Sequence, residues 1–167
     1  MRWNVRMNII KKKSRLSDEQ NLLVVFGEHF RSRKIMDSDD LGLVLRCHFL
    51  IEAILEQILM KYIKDKSIFY EKDFSFFLKV KLAKSMDLIP ERTFIAINRL
   101  NNIRNIFAHN INTRLDEIDL SAITKGFLKK EESKPRILSS KKWSLMYSFR
   151  NLFNELRGIL ETKAMGD

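Results

Sequence analysis

The stretch from Leu100 to Asn110 carries the residue types of this chain that are best suited to chemistry. Polar residues recur here at steps of four, three and four, which places them on one face of a helix: Asn98, Asn102, Asn105 and His109. Arg104 lies just beside that face. A surface helix usually covers its outer face with lysine and glutamate. Amide, imidazole and guanidinium groups instead hold ligands and phosphates, so we interpret this stretch as a helix that also forms a site.

Apolar residues with the same spacing form the opposite face of this helix: Ala96, Leu100, Ile103 and Phe107. Pro90 and Glu91 favour a helix start, because proline fits the first turn and an acidic residue suits the positive end of the helix dipole. Residues 110–112 read as a stop. We therefore predict a helix from Pro90 to about Ala108 that positions the candidate site near its end.

The composition predicts an all-α protein that folds as a compact bundle of about five to six helices. The chain has 167 residues, of which 45% are hydrophobic and 31% charged, with only 5 Gly and 2 Pro. Lys and Arg total 31 against 21 Asp and Glu, a net charge of +10. Such a charge favours polyanionic partners, namely RNA, DNA, an acidic protein or an anionic membrane. General solubility is the competing explanation of this charge.

Cysteine content and hydropathy indicate a cytoplasmic protein with no membrane partner. Cys47 is the only cysteine, so an internal disulfide is excluded, and its apolar neighbours predict a buried thiol. No apolar run approaches the roughly 20 residues of a transmembrane helix. The N-terminus lacks the pattern of a signal peptide, and we expect the cytoplasm of a microbe as the location.

The first residues, 1–16, are rich in Lys and Arg and predict a flexible basic arm that contacts phosphates, or simply a poorly ordered terminus. Residues 17–167 are then a single helical domain. Ser17 and Gln20 form a capping-box pattern, which predicts a first helix to about Lys34.

The second helix is expected from about Asp39 to Lys64 and is apolar on almost all sides, which is typical of a central helix. His48, Glu52 and Glu56 interrupt it at steps of four. Three interpretations remain open. The favoured one is a narrow solvated stripe. In the second, Glu52 or Glu56 turns inward to hold Arg104. In the third, His48, Glu52 and His109 form a metal site.

The remaining elements are a third helix from Phe74 to about Asp87 capped by Asp73, a short helix within residues 115–123, and a last helix. In the third helix, the lysines are expected to face mainly outward: Lys79, Lys81 and Lys84. Residues 125–140 are rich in charge and predict a long flexible loop. The last helix is expected from Ser139 or Ser140 to about Lys163, with its aromatic residues in the core rather than in a base-stacking platform.

The segment Arg104 to His109 has the form Arg-x4-His with the polar Asn105 directly after the arginine, and in this it resembles the HEPN superfamily. Further segments are similar to the branch near the mannitol operon repressor family: residues 77–83, 88–91 and 100–109, with 43–46 and 50–53 compatible with its earlier helix. The resemblance covers roughly residues 39–125, and the Arg-His motif is its specific part.

The resemblance implies a helical bundle that dimerises with its two motifs facing each other, and many members are metal-independent endoribonucleases. It places Arg104, Asn105 and His109 in the catalytic role. From their helix faces we add Glu52 and Asn102 as supporting residues, and we expect no metal or cofactor. Histidine titrates near neutral pH and can exchange protons with a 2′-hydroxyl or leaving oxygen. Arginine grips phosphate through a planar fork. RNA is the implied substrate, and the expected products carry 2′,3′-cyclic phosphate and 5′-hydroxyl ends.

Helix geometry limits how the motif works, because Arg104 and His109 lie about 140° apart around a regular helix. Either the last turn opens at Ala108 and His109, or a second copy completes the site across a two-fold axis, which is our hypothesis. Relatives paired with a nucleotidyltransferase antitoxin often carry Tyr two residues after the His, where this chain has Ile111.

Three functions follow as expectations from this motif and these relatives. The first is a homodimeric HEPN ribonuclease that acts as a toxin or antiviral defence effector, with a possible antitoxin or other regulatory partner protein. The second is a non-catalytic regulator of transcription, similar to the mannitol repressor relatives. The third is a protein-interaction module that retains the motif as a structural relic.

Overall fold

All regular structure in the described part of the chain is helical, as the composition predicts. The computed structural model describes residues 39–71, 74–110, 112–128 and 140–162. These residues form five α-helices and two short 3-10 helices, and no strand. The expected basic arm (residues 1–16) and the helix from Ser17 to about Lys34 lie outside the described residues.

The five α-helices of the described residues are numbered in chain order. The α-helices are α1 (Asp40–Met60), α2 (Phe76–Ser85), α3 (Glu91–His109), α4 (Ser121–Phe127) and α5 (Lys141–Thr162). The 3-10 helices are Lys66–Tyr70 and Leu115–Glu117. No helix among the described residues is long and apolar enough to cross a membrane.

Helix α1 is the central element, as its apolar sequence predicts, and it packs against α2, α3 and α5. Asp39 caps it by accepting a hydrogen bond from the Gly42 amide at 2.6 Å. The helix ends at Met60 rather than Lys64, because the Lys61 and Tyr62 amides bond to carbonyls three residues back and tighten the last turn.

Helix α2 begins after Ser75, whose hydroxyl accepts a hydrogen bond from the Leu78 amide at 3.4 Å. The predicted cap, Asp73, lies outside the described residues. The helix ends with Asp87 in the left-handed region, at φ 52°. The Leu88 amide then bonds to the Ala83 carbonyl at 2.9 Å, a closure that satisfies an orphan carbonyl and turns the chain toward α3.

Helix α3 confirms the prediction closely, running to His109 with Asn110 in extended backbone as the stop. The segment after it differs from the prediction of one short helix. It forms a 3-10 turn at Leu115–Glu117 and a separate α4, because the Asp119 carboxylate accepts hydrogen bonds from the Ser121 amide and hydroxyl, at 2.9 Å each, between them. Helix α4 extends to Phe127, so the start of the expected 125–140 loop is helical.

The core lies between α1, α3 and α5. Phe149 and Phe153 of α5 are fully buried. This confirms the core assignment for Phe153, whereas Trp143 at the start of α5 is 36% exposed. The Lys61 ammonium donates to the Leu160 carbonyl at 2.5 Å and joins the ends of α1 and α5.

Helices α1 and α3 run antiparallel, and this arrangement decides which residues of the two helices meet. Near the start of α1, the Asp40 carboxylate accepts a hydrogen bond from the Leu115 amide, beyond the end of α3, at 2.8 Å. Further along α1, His48 lies against Asn101 in the interior of α3. Residues later in α1 therefore lie next to residues earlier in α3.

Candidate functional site

Arg104 and His109 occupy the last turns of α3 but do not contact each other. His109 is the final helical residue and is exposed, while Arg104 is half-buried. The Asn110 amide still bonds to the Ile106 carbonyl at 3.0 Å, so the helix stays regular through this turn. The turn does not open at Ala108 and His109, and the two side chains of one copy keep the angular separation that a regular helix imposes.

The guanidinium of Arg104 is held by an amide rather than by a carboxylate. Its Nη1 donates a hydrogen bond to Oδ1 of the adjacent Asn105 at 3.0 Å. Its Nε is buried without a hydrogen-bond partner among the described residues. In the same residues no carboxylate forms an ion pair with Arg104. Arg104 thus keeps both its charge and unused donors, which is the state required to bind an anion.

The second interpretation of the α1 stripe, in which Glu52 or Glu56 holds Arg104, is wrong, because Lys79 binds both carboxylates instead. The Lys79 ammonium donates to Glu52 Oε1 at 2.7 Å and also to Glu56 Oε1. Lys79 is only 5% exposed, so the expectation that it faces outward is wrong too. The physical reason is the packing of α2 on α1, which brings Lys79 over the polar stripe of α1.

His48 is part of the same interior, and the interpretation of its stripe as solvated is wrong at this residue, which is 5% exposed. Its Nε2 lies 3.2 Å from Asn101 Oδ1, and its ring centroid lies 4.2 Å from that of Phe76. Its Nδ1 is buried without a hydrogen bond in the described residues, 4.0 Å from Glu52 Oε2.

Burial lowers the pKa of the His48 imidazole, and the positive charges of Arg104 and Lys79 lower it further. The contact with Asn101 and the charge of Glu52 oppose this shift without reversing it. His48 is therefore neutral at neutral pH. For Lys79, burial disfavours the charge, but the bonds and charges of Glu52 and Glu56 outweigh burial and raise the pKa of the ammonium.

The proposed metal site of His48, Glu52 and His109 does not form. His48 is buried against α3, whereas His109 is exposed at the helix end. Within the residues the structure describes, no group of three His, Cys, Asp or Glu side chains could hold a metal ion. Cys47 is buried and free, as expected, and burial raises the pKa of its thiol.

The two supporting residues, Glu52 and Asn102, have different surroundings, since Glu52 is bound by Lys79. Asn102 is exposed, and no hydrogen bond is found for its side chain in the described residues, while the neighbouring Asn101 binds His48. Sequence reasoning missed Asn101 and Lys79. Asn101 precedes Arg104 by three positions and Asn105 by four, so it is a helical neighbour of both. Considering the helical neighbours of Arg104, rather than those of His109, would have identified Asn101 as part of this region.

Comparisons with known proteins yield no matching family model, and neither a curated protein nor a solved structure matches the chain. The resemblance to the HEPN superfamily therefore rests on the residues of this chain alone.

Proposed function

We propose that this protein is a metal-independent endoribonuclease of HEPN type that acts as a homodimer, in the role of a toxin or defence effector. One observation carries the proposal: Arg104 presents a guanidinium without a carboxylate partner in the described residues, near the same helix end as the exposed His109. The net charge of +10 supports a polyanionic substrate such as RNA.

The chemistry follows from the residue types and their surroundings. The 2′-oxygen of RNA attacks the adjacent phosphorus, its proton passes to a base, and the bond from phosphorus to the 5′-oxygen breaks as that oxygen takes up a proton. His109 is the group that exchanges these protons, because it is exposed and its side chain can reach a bound strand. Arg104 stabilises the charge that grows on the phosphoryl oxygens, and Asn105 orients the guanidinium.

A second copy is the simplest way to bring Arg104 and His109 to one phosphate. Helix α3 is regular to its end, so the two side chains of one chain diverge. A two-fold axis would place His109 of one copy opposite Arg104 of the other. Ile106, which lies between the two in sequence, is 39% exposed and supplies apolar surface for such a contact.

The first test is RNA cleavage in the presence of EDTA by the parent chain, Arg104→Ala and His109→Ala. We expect the parent to leave cyclic phosphate ends and both variants to be inactive while remaining folded. Asn102→Ala, which alters an exposed residue of the same helix, is the matched control and should cleave normally. A folded parent that cleaves none of a diverse set of RNAs would refute the proposal.

Mixing the two inactive variants tests the shared site. A heterodimer of Arg104→Ala with His109→Ala contains one site with both residues intact, so co-refolding should recover up to about a quarter of the parent activity. Activity that stays at zero in verified heterodimers would show that each chain uses its own pair.

A non-catalytic nucleic-acid-binding regulator is the second candidate, and a surface of α5 favours it. The rings of Trp143 and Tyr147 lie 5.9 Å apart, and the Arg150 guanidinium lies 4.7 Å from the Tyr147 ring centroid. Aromatic and basic groups in this arrangement can stack on bases and contact phosphates. A salt-dependent shift of duplex DNA, with no cleavage of RNA, would support this candidate over the first.

A further inference from the structure

The cluster of His48, Glu52, Glu56 and Lys79 (the Lys79 cluster) is not used by the proposed reaction, yet the charge of Arg104 acts on its His48. His48 and Lys79 are buried and the two carboxylates half-buried. It joins α1 to α2 through the two bonds of Lys79 and α1 to α3 through His48 and Asn101. Two carboxylates and one ammonium leave the cluster with one excess negative charge when His48 is neutral. Glu52, Lys79 and Arg104 are all near enough to His48 to shift the pKa of its imidazole.

Of the two carboxylates, Glu52 is the one placed to reach Arg104. It lies one turn after His48 on α1, and Arg104 lies about one turn after Asn101 on α3. Side chains on a helix lean toward the N-terminus of that helix. The Glu52 side chain therefore leans back along α1 toward His48, and the Arg104 side chain leans back along α3 toward Asn101. Because α1 and α3 are antiparallel, both side chains lean toward the point where His48 contacts Asn101. Glu56 lies one further turn away from this point.

We propose that Lys79 is a positioning residue that keeps Glu52 from pairing with Arg104, and so keeps the guanidinium available for an anion. In the structure, Glu52 Oε1 is bound to Lys79 at 2.7 Å, and Arg104 bonds only to an amide among the described residues. Without Lys79, the Glu52 carboxylate would be free to pair with Arg104, and this ion pair would neutralise the group that binds phosphate. The identity of that anion as the scissile phosphate of RNA rests on the proposed function.

The test measures the availability of Arg104 directly. Phenylglyoxal reacts with guanidinium groups, and peptide mapping by mass spectrometry gives the rate at Arg104 alone. We expect this rate to fall about fivefold in Lys79→Met, which is the scale of a modest ion pair. It should return to the parent value in Lys79→Met/Glu52→Gln, where no carboxylate is released toward Arg104.

Lys84→Met is the matched control. Lys84 also lies on α2 and is also ion-paired, to Glu91 at 3.1 Å, but on the surface. Its loss changes the net charge by the same amount and should leave the Arg104 rate unchanged. Circular dichroism and thermal unfolding establish that each variant is folded at the temperature of the assay. If Lys79→Met does not fold, Lys79→Gln replaces it, since the amide can still donate to Glu52 but carries no charge.

An unchanged Arg104 rate in folded Lys79→Met, or no recovery in the double variant, would overturn the inference. RNA cleavage measured in parallel separates this result from the proposed function. A parent that does not cleave RNA, together with the expected Arg104 rates, would refute the ribonuclease and leave the role of Lys79 intact.

For an active parent, Lys79→Met should raise KM more than it lowers kcat. It should also reduce the salt dependence of binding to single-stranded RNA by roughly one phosphate contact, a slope of about 0.7. A purely structural role for Lys79 would not change that slope.

Discussion

Lys79 and Arg104 are two cations on helices that both pack against α1, and they have opposite surroundings. Lys79 is buried and bound by two carboxylates, whereas Arg104 is half-buried and bound in the described residues by one amide. A buried charge with its counter-charges fixes the packing of the helices that supply them. A charge with unused donors contributes little to packing and remains able to bind a ligand. Within one bundle, the comparison separates a cation that joins helices (the structural cation) from a cation that is proposed to bind a ligand.

The largest expected effect is the loss of cleavage on removing Arg104, the cation that is proposed to bind phosphate. Arg104→Ala should lower kcat for RNA cleavage by about 10²–10³-fold, which is typical for a group that stabilises transition-state charge. Arg104→Lys should recover only part of this, because the ammonium lacks the planar fork. Steady-state kinetics at constant salt measure both. Full activity in Arg104→Lys would show that only the charge matters.

The structural cation should show the reverse pattern, with a large effect on stability. Lys79→Met should lower the free energy of unfolding by about 2–3 kcal/mol, because two half-buried carboxylates lose their partner. Urea denaturation measures this, and Arg104→Ala should change the same quantity by less than about 1 kcal/mol. Adding Glu52→Gln and Glu56→Gln to Lys79→Met should restore most of the lost stability. Equal effects of Lys79→Met and Arg104→Ala would remove the distinction between the two cations.

The amide that holds Arg104 should matter less than the guanidinium itself. Asn105→Ala removes the 3.0 Å bond to Arg104 and should lower kcat/KM about tenfold, the equivalent of one hydrogen bond to a charged group. Asn102→Ala alters an exposed residue three positions before Asn105 on the same helix and should change kcat/KM by less than about twofold. If the two asparagine variants were equally impaired, the polar face as a whole, rather than the Arg104 contact, would be the functional unit.

The smallest expected effect concerns His48, whose pKa is lowered by burial and by the charges of both cations. Its pKa is lowered in the folded protein, so the unfolded chain takes up a proton first as the pH falls. The stability that neutral His48 contributes is present above the unfolded pKa of about 6.5 and is lost below it, with a slope of at most about 1.4 kcal/mol per pH unit. His48→Gln should flatten the stability profile below about pH 6.5. An unchanged profile would show that His48 is not the titrating group.

Most of the fold could be predicted from the sequence because helix boundaries depend on local chemistry. Asn110 ends α3 as its residue type predicts, and Pro90 precedes the first turn. The apolar sequence of α1 predicts its central place, which the packing confirms. The exceptions, such as the end of α1 at Met60, arise where a turn forms through backbone hydrogen bonds that the side-chain sequence does not predict.

The site was harder to predict because it depends on which helices are neighbours. The spacing of Glu52 and Glu56 shows that they share a face, but not that Lys79 of α2 lies over them. A lysine on an amphipathic helix is usually solvated, and only the partner helix decides otherwise. Asn101 was overlooked for the same reason, since its partner is His48 on α1. The roles assigned to Arg104, Asn105 and His109 remain predictions for the experiments above.

The long-range ties of α1 have a consequence for the order of folding. The Asp40–Leu115 bond joins residues 75 positions apart, and the Lys61–Leu160 bond joins residues 99 positions apart. Closing such long loops is slow compared with forming a helix. During synthesis, the hydrogen bond at the start of α1 cannot form until Leu115 has left the ribosome. The bond at the end of α1 cannot form until α5 is complete. The neighbourhood of Arg104, which lies toward the start of α1, can therefore form before α5 is made, whereas the end of α1 is joined to α5 last.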